Sequence, residues 1–238
     1  MTDLLFLDAP TQWTVDATVL ASEPGQIVLD RTIFYARSGG QPGDMGVLRW
    51  DGGTCAIADT IKGEAGAVLH VPAADATLPP VGAAVTGEID WDRRHRLMRM
   101  HTAMHLLCSL IKGAAVTGGS VGLDKSRLDF DLPNPPPKEE LEAGLNALID
   151  ADLPVTFEWV DEARLDADPG LVRTMSVQPP RGTGRLRLMR IGTDDNLVDL
   201  QPCGGTHVSR TGEIGPMRIV KIENKGRQNR RIILAPAE

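Results

Sequence analysis

The first ninety residues alternate between apolar and polar positions over short runs. Val15–Leu20, Gln26–Leu29, Gly46–Trp50, Cys55–Thr60, Ala67–Val71 and Ala84–Ile89 each read as a strand of four to six residues. Turn formers separate them: Pro24-Gly25, Gly39-Gly40, Asp51-Gly52-Gly53 and Pro79-Pro80. Several short strands at this spacing, apolar on one side, predict a small β-barrel. At about residue 91 the period changes. From Trp91 to Ile111 there is neither glycine nor proline, and Leu97, Met100/His101, Met104, Leu107/Cys108 and Ile111 recur at helical spacing. Asp90 or Asp92 can cap the start of this helix, and Gly113 ends it. A proline run over 133–137 precedes a second helix from about Lys138 to Ala151, with Glu139 and Glu140 in its first turn. Strands at Val155–Val160, Leu186–Ile191, Leu197–Leu200 and Ile214–Glu223, and a short helix from Asp161, complete an α+β layout. The pattern predicts two domains, residues 1–90 and 91–238.

Composition narrows the class. With 24 % charged and 42 % hydrophobic residues the chain is an ordinary globular one, and no run of eighteen apolar residues is present to span a membrane. The N-terminus has no basic stretch before an apolar one, so no export signal is expected. Three cysteines without framework spacing suit a reducing interior, and a cytoplasmic location is expected.

The net charge of −7 argues against a polyanionic partner, but its distribution argues the other way. Residues 1–92 carry 13 acids against 4 bases; residues 93–238 carry 19 against 21. The stretch 171–190 holds Arg173, Arg181, Arg185, Arg187 and Arg190 without an acid. Near the C-terminus Arg218, Lys221, Lys225, Arg227, Arg230 and Arg231 face only Glu223. Local basic patches, rather than net charge, attract phosphates, although a solvated face has the same composition.

Three short blocks carry chemistry. His101 and His105 stand four apart and share one face of the predicted helix, so both can reach one ion. Such a pair also occurs in helices that bind nothing. Cys203-Gly204-Gly205-Thr206-His207 sets a second pair of donors at the ends of a turn that two glycines allow to close tightly. Three imidazoles and a thiolate match the preference of zinc, one ion per chain. A redox role for Cys203 would want a resolving cysteine nearby, and there is none. A metalloprotease would carry glutamate directly after the first histidine, where this chain has Thr102. The third block, Phe34-Tyr35-Ala36-Arg37-Ser38-Gly39-Gly40-Gln41, is a glycine-rich loop whose Gln41 offers both a donor and an acceptor.

In this order the blocks resemble the editing region of alanyl-tRNA synthetase and its free-standing relatives, the alanyl-tRNA editing proteins. Ser126-Arg127-Leu128-Asp129-Phe130 and Thr211-Gly212-Glu213-Ile214-Gly215-Pro216 add to the likeness, which runs over essentially the whole chain. Threonyl-tRNA synthetase has a related domain, but Gly205-Thr206 favours the alanyl branch. Nothing like an aminoacylation domain stands ahead of these blocks, so the expected protein is free-standing.

The resemblance implies a β-barrel followed by an α+β zinc-bearing editing domain, related to the second additional domain of the threonyl and alanyl synthetases. It implies zinc ligands at His101, His105, Cys203 and His207, and a loop glutamine at Gln41. It also implies ATP-independent hydrolysis of the ester joining serine or glycine to alanine tRNA. Thr102 and Thr206, beside ligands, are candidates to hold a water or a substrate hydroxyl. Arg93, Arg94, Arg96, Arg99, Arg181, Arg185 and Arg187 are candidates for the acceptor-end phosphates. No obligate protein partner is expected. Two other readings stay open: a tRNA-binding module whose zinc is structural, and a zinc hydrolase of a small ester or amide.

Overall fold

The structure, a computed structural model, describes residues 2–175, 182 and 184–237. The chain divides into two compact units, Met1–Arg96 and Leu97–Glu238. The mixed α+β class and the barrel are as the pattern predicts.

The first unit holds β1 (Asp3–Leu4), β2 (Thr14–Glu23), β3 (Gln26–Leu29), β4 (Arg31–Thr32), β5 (Gly46–Trp50), β6 (Gly53–Lys62), β7 (Val68–Pro72) and β8 (Ala84–Ile89). Six of them close a barrel in the order β2-β3-β7-β6-β5-β8, every neighbouring pair antiparallel. β1 and β4 form a separate parallel pair. Alternation turns Val15, Ala17, Val19, Cys55, Ile57, Val85 and Ile89 inward, where they pack with Ile27, Leu29, Leu48 and Phe34. Phe34 fits because two facing positions lack a side chain: a Cβ on Gly46 would stand 2.9 Å from its ring, and one on Gly87 3.1 Å. β2 and β6 run to ten residues each, longer than the alternation suggested, because their ends keep pairing after the inward residues stop.

The helix α1 (Trp91–Leu110) starts on Asp90, whose Oδ1 accepts the N–H of Arg93 at 3.0 Å. The division between units falls inside it, and a buried ion pair shows why its first turn belongs with the barrel. Arg94 is fully buried, its Nε 2.9–3.0 Å from both carboxylate oxygens of Asp44. It also donates to the carbonyls of Pro10 at 3.0 Å and Ile33 at 2.6 Å. From Leu97 onward α1 is buried around most of its circumference, with Leu97, Met98, Met100, Ala103, Met104, Leu106 and Leu107 all inside.

The second unit continues with β9 (Ala115–Ser120), β10 (Ser126–Asp131), α2 (Lys138–Asp150), β11 (Val155–Asp161), α3 (Arg164–Ala167), β12 (Arg185–Gly192), β13 (Leu197–Pro202), β14 (Met217–Asn224) and β15 (Asn229–Pro236). They form a four-stranded antiparallel sheet, β14-β15-β10-β9, and a three-stranded one, β11-β12-β13. α2 buries Leu141, Leu145 and Ile149, and Asn146 exchanges hydrogen bonds of 2.7 and 2.9 Å with the backbone of Met217 in β14.

The sequence pattern missed β9, β10 and β15. It also started β14 three residues early, at Ile214. Thr211–Ile214 instead form a 3-10 turn, ended by Gly215 at φ +71° and by Pro216. Among the described residues, no helix is long and apolar enough to cross a membrane.

Candidate metal centre

α1 presents His101 and His105 one turn apart, with ring centroids 5.2 Å from each other. β13 brings the other two donors. Its inward positions carry Asp199 and Gln201, both buried, while Leu197 and Val198 lie further out. Period two continues to Cys203, where the strand ends, so acid, amide and thiol line up on one face. The turn 203–207 then swings His207 to within 4.3 Å of His101 and 5.0 Å of His105, ring to ring. One donor atom from each of His101, His105, Cys203 and His207 lies within 4.8 Å of the others. Cys203 Sγ stands 3.2 Å from Nε2 of His207 and 3.8 Å from Nε2 of His101. Zinc bonds of about 2.0–2.3 Å at tetrahedral angles require donor separations of roughly 3.3–3.6 Å. The group therefore fits such an ion, and its nitrogen and sulfur donors suit a borderline-soft one.

Two of the three imidazoles are oriented from behind. His105 Nδ1 donates to Asp199 Oδ2 at 2.9 Å, and Gln201 Nε2 holds that same oxygen at 2.7 Å. Thr102, fully buried, gives its hydroxyl proton to the Met98 carbonyl at 2.9 Å. Its oxygen is left to accept from His207 Nδ1 at 3.2 Å. Both rings thereby turn Nε2 inward, an arrangement usual behind metal-bound histidines.

The charges point the same way. Burial raises the thiol pKa of Cys203, but the neighbouring His101 and His207 imidazoles together outweigh it, so the pKa falls well below the usual thiol range. Burial, with His101 beside it, holds His207 down to about 3, neutral at physiological pH. Burial disfavours charge on His105 as well. Its hydrogen bonds to Asp199 and Cys203 prevail and raise it to about 10. A half-buried thiolate beside three imidazoles is a donor set suited to a cation.

Arg187 holds the turn. Its backbone carbonyl accepts the Cys203 N–H at 3.3 Å, one rung beyond the end of the β12–β13 ladder. Its Nη1 donates to the carbonyls of Cys203 at 2.8 Å and Gly205 at 3.0 Å. The guanidinium lies 3.6 Å over the ring of Phe157, and Phe157 is 6.0 Å from His207. A planar cation that stacks on a ring while one of its nitrogens bridges two carbonyls is chemistry lysine lacks.

The structure redistributes several residues singled out in the sequence. Arg187 is only 4 % exposed and Arg94 fully buried, so neither lies on a surface that phosphates touch. Arg93 donates to the Gly43 carbonyl at 2.8 Å and Arg99 to that of Ile214 at 2.7 Å, both half-buried; Arg96 and Arg185 are exposed. Arg181 lies outside the described residues.

Thr102 orients a ring, its hydroxyl being committed on both sides, and Thr206 is fully buried within the turn. Gln41 belongs to the first unit. It is fully buried and closes a tight hairpin with Ser38 whose exposed tip is Gly39 (φ +56°) and Gly40 (φ +83°). Sequence reasoning missed Asp199, Gln201 and the clamp by Arg187. The signal for the first two was present: β13 carries its polar residues at the buried alternate positions.

Comparison with known proteins places the sequence among those of tRNA synthetases and editing proteins. The family described as tRNA synthetases class II (A) matches residues 6–93. That described as threonyl and alanyl tRNA synthetase second additional domain matches residues 186–233. The chain is 38 % identical over 229 residues to an alanine–tRNA ligase of Pyrobaculum arsenaticum, covering 92 % of this chain and 25 % of the ligase. It thus spans about a quarter of the length of such ligases. These matches, with the α+β fold, define a protein of the synthetase second-additional-domain class. More particularly, the chain belongs to the family of alanyl-tRNA editing proteins. It is 35 % identical to alanyl-tRNA editing protein AlaX-M of Methanosarcina acetivorans and 32 % identical to that of Saccharolobus solfataricus, in each case over 98 % of both chains.

Proposed function

We propose that the protein is a trans-editing hydrolase that deacylates alanine tRNA mischarged with serine, and with glycine less selectively. The observation that carries this reading is the four-donor cluster, in a chain matching editing proteins from end to end. His101, His105, Cys203 and His207 would hold one zinc ion, which supplies a Lewis acid to a reaction whose barrier is the developing oxyanion. The chain's own part is orientation. Asp199 and Thr102 each keep a proton on the outer nitrogen of a ring, and Arg187 fixes the carbonyls of the turn. A pocket that hydrogen-bonds the serine hydroxyl rejects alanine, because its polar groups would be left unpaired, by a factor of up to roughly 10⁴–10⁵. Glycine offers no such handle. The free cysteines suit work in the cytoplasm, with the acceptor end of tRNA as the partner.

The test is deacylation of seryl-tRNA by wild type, His101→Ala and Cys203→Ala. Wild type should clear seryl-tRNA and spare alanyl-tRNA; equal rates on both esters would defeat the reading.

One observation favours a second reading, in which zinc is a structural clamp. Four protein donors already make a closed shell, the structural pattern. If so, chelation would act through the fold alone, and a chelated protein that kept its fold would still bind tRNA and keep whatever activity the zinc-loaded protein has.

A further inference from the structure

β11 and β12 pair so that Phe157 stands opposite Met189, Trp159 opposite Arg187 and Asp161 opposite Arg185. Opposite and alternate residues share a face of a sheet, so Phe157, Trp159, Arg185 and Arg187 all project from one side. They interleave. Arg187 lies 3.6 Å over the Phe157 ring, and Arg185 lies 4.4 Å over the Trp159 ring. The series begins at Phe157, 6.0 Å from His207, with Arg187 buried. It ends at the surface, where Trp159 is 38 % exposed and Arg185 is exposed. Asp161 is the one acid on this face of the two strands, and its Oδ1 accepts the N–H of Ala163 at 2.8 Å.

A packed core has no use for an indole at the surface with a guanidinium laid across it. Unpaired RNA does: bases stack on aromatic and guanidinium planes, and the cation meets the adjoining phosphate. We infer that Trp159 and Arg185 form a stacking platform for an unpaired nucleotide at the 3′ end of tRNA, next to the ester-bearing residue at the metal centre. The inference rests on the proposed function and deepens it. Alternate residues of a strand are about 6.8 Å apart, so the step from Phe157 to Trp159 spans a nucleotide or two.

The test uses the metal-loaded full chain and Trp159→Ala, Trp159→Phe and Arg185→Ala. Two quantities are read: the Kd for a dye-labelled, uncharged ribo-tetranucleotide ending in CCA, and kcat and KM for seryl-tRNA. Trp159→Ala should raise both Kd and KM roughly tenfold or more, with kcat near wild type. Trp159→Phe, which keeps a ring, should restore most of the loss. Arg185→Ala should weaken binding and lower its salt slope by about one. Melting temperature and metal content serve as controls for folding.

A wild-type Kd in Trp159→Ala, or a fall in kcat with KM unchanged, would overturn the platform. So would a loss that phenylalanine does not restore. The tetranucleotide carries no ester. Binding that depends on Trp159 would therefore support the platform even if wild type hydrolysed no seryl-tRNA, an outcome that would count against the hydrolase reading alone.

Discussion

The hydroxyl oxygen of Thr102 lies 3.2 Å from Nδ1 of His207, a residue 105 positions further along the chain. Its own proton points to the Met98 carbonyl of the preceding helical turn, at 2.9 Å. The helix thus uses one of its own carbonyls to choose the tautomer of a histidine on another element. That choice leaves Nε2 of His207 facing Cys203.

Replacing Thr102 by valine keeps the shape and removes the acceptor. Nδ1 of His207 then has a buried, unmet proton, at a cost of about 1–3 kcal/mol. The ring can escape by turning over, which carries its inward nitrogen out of the cluster. Zinc affinity, measured by competition with a chromophoric chelator, should fall about 10- to 100-fold. Thr102→Ser should stay near wild type. Equal affinities for valine and threonine would show that the hydroxyl does not set the ring.

Arg187→Lys retains a charge but loses the flat guanidinium. An ammonium that donates to the Cys203 and Gly205 carbonyls, as Nη1 does, has no plane to lay over Phe157. Two hydrogen bonds from a charged donor are involved, each worth about 1.5–3 kcal/mol. Urea denaturation of the metal-free protein should show a loss of at least about 2 kcal/mol in Arg187→Lys, and more in Arg187→Met. Wild-type stability in Arg187→Lys would mean that the charge, and not the planar guanidinium, matters.

Much of this was legible in the sequence because each signal was local. Inward alternation marked the barrel strands, and the i,i+4 spacing of His101 and His105 and the glycines between Cys203 and His207 marked the donors. What escaped depends on contacts far apart in the chain. β9 contains Gly118 and Gly119, which have no strand propensity of their own; the strand exists because β10 pairs with it. Arg187 looked like one basic residue among several in an acid-free stretch. Only the register of β12 against β13 reveals that it lies over the ligand turn. A charge count cannot separate a clamp from a phosphate contact, since burial decides between them.

Asp44 anchors the start of α1 through Arg94, and both are buried. Asp44→Asn leaves a buried guanidinium facing a neutral amide, and breaking such a pair from one side costs about 3–5 kcal/mol. Its second oxygen also accepts the Tyr35 N–H at 2.7 Å, which asparagine can still serve, so the lower figure applies. Unfolding of the first unit, followed by urea titration, should shift accordingly. The double variant Asp44→Leu/Arg94→Met should lose less than either single change. If the double change costs the sum of the two singles, the residues do not act as a pair.

His70 is a titration probe of the barrel remote in sequence from any proposed ligand. It is fully buried, with Nδ1 donating to the Ile27 carbonyl at 3.1 Å and Nε2 accepting the Thr32 hydroxyl at 2.8 Å. Thr32 in turn accepts the N–H of Phe34 at 3.0 Å, so the network is satisfied with His70 neutral. Burial lowers its pKa from 6.5 to about 4, the Ile27 hydrogen bond opposing only in part. As pH falls from 7, the unfolded chain takes up this proton first, near 6.5, and the folded chain resists until about 4. Stability contributed by neutral His70 is therefore full above pH 6.5 and drains away towards pH 4. The loss by pH 4 is about 3 kcal/mol at 1.36 kcal/mol per pKa unit. Urea midpoints at pH 7, 6, 5 and 4 should decline more steeply in wild type than in His70→Gln, which cannot titrate. Parallel declines in the two proteins would place the acid sensitivity elsewhere.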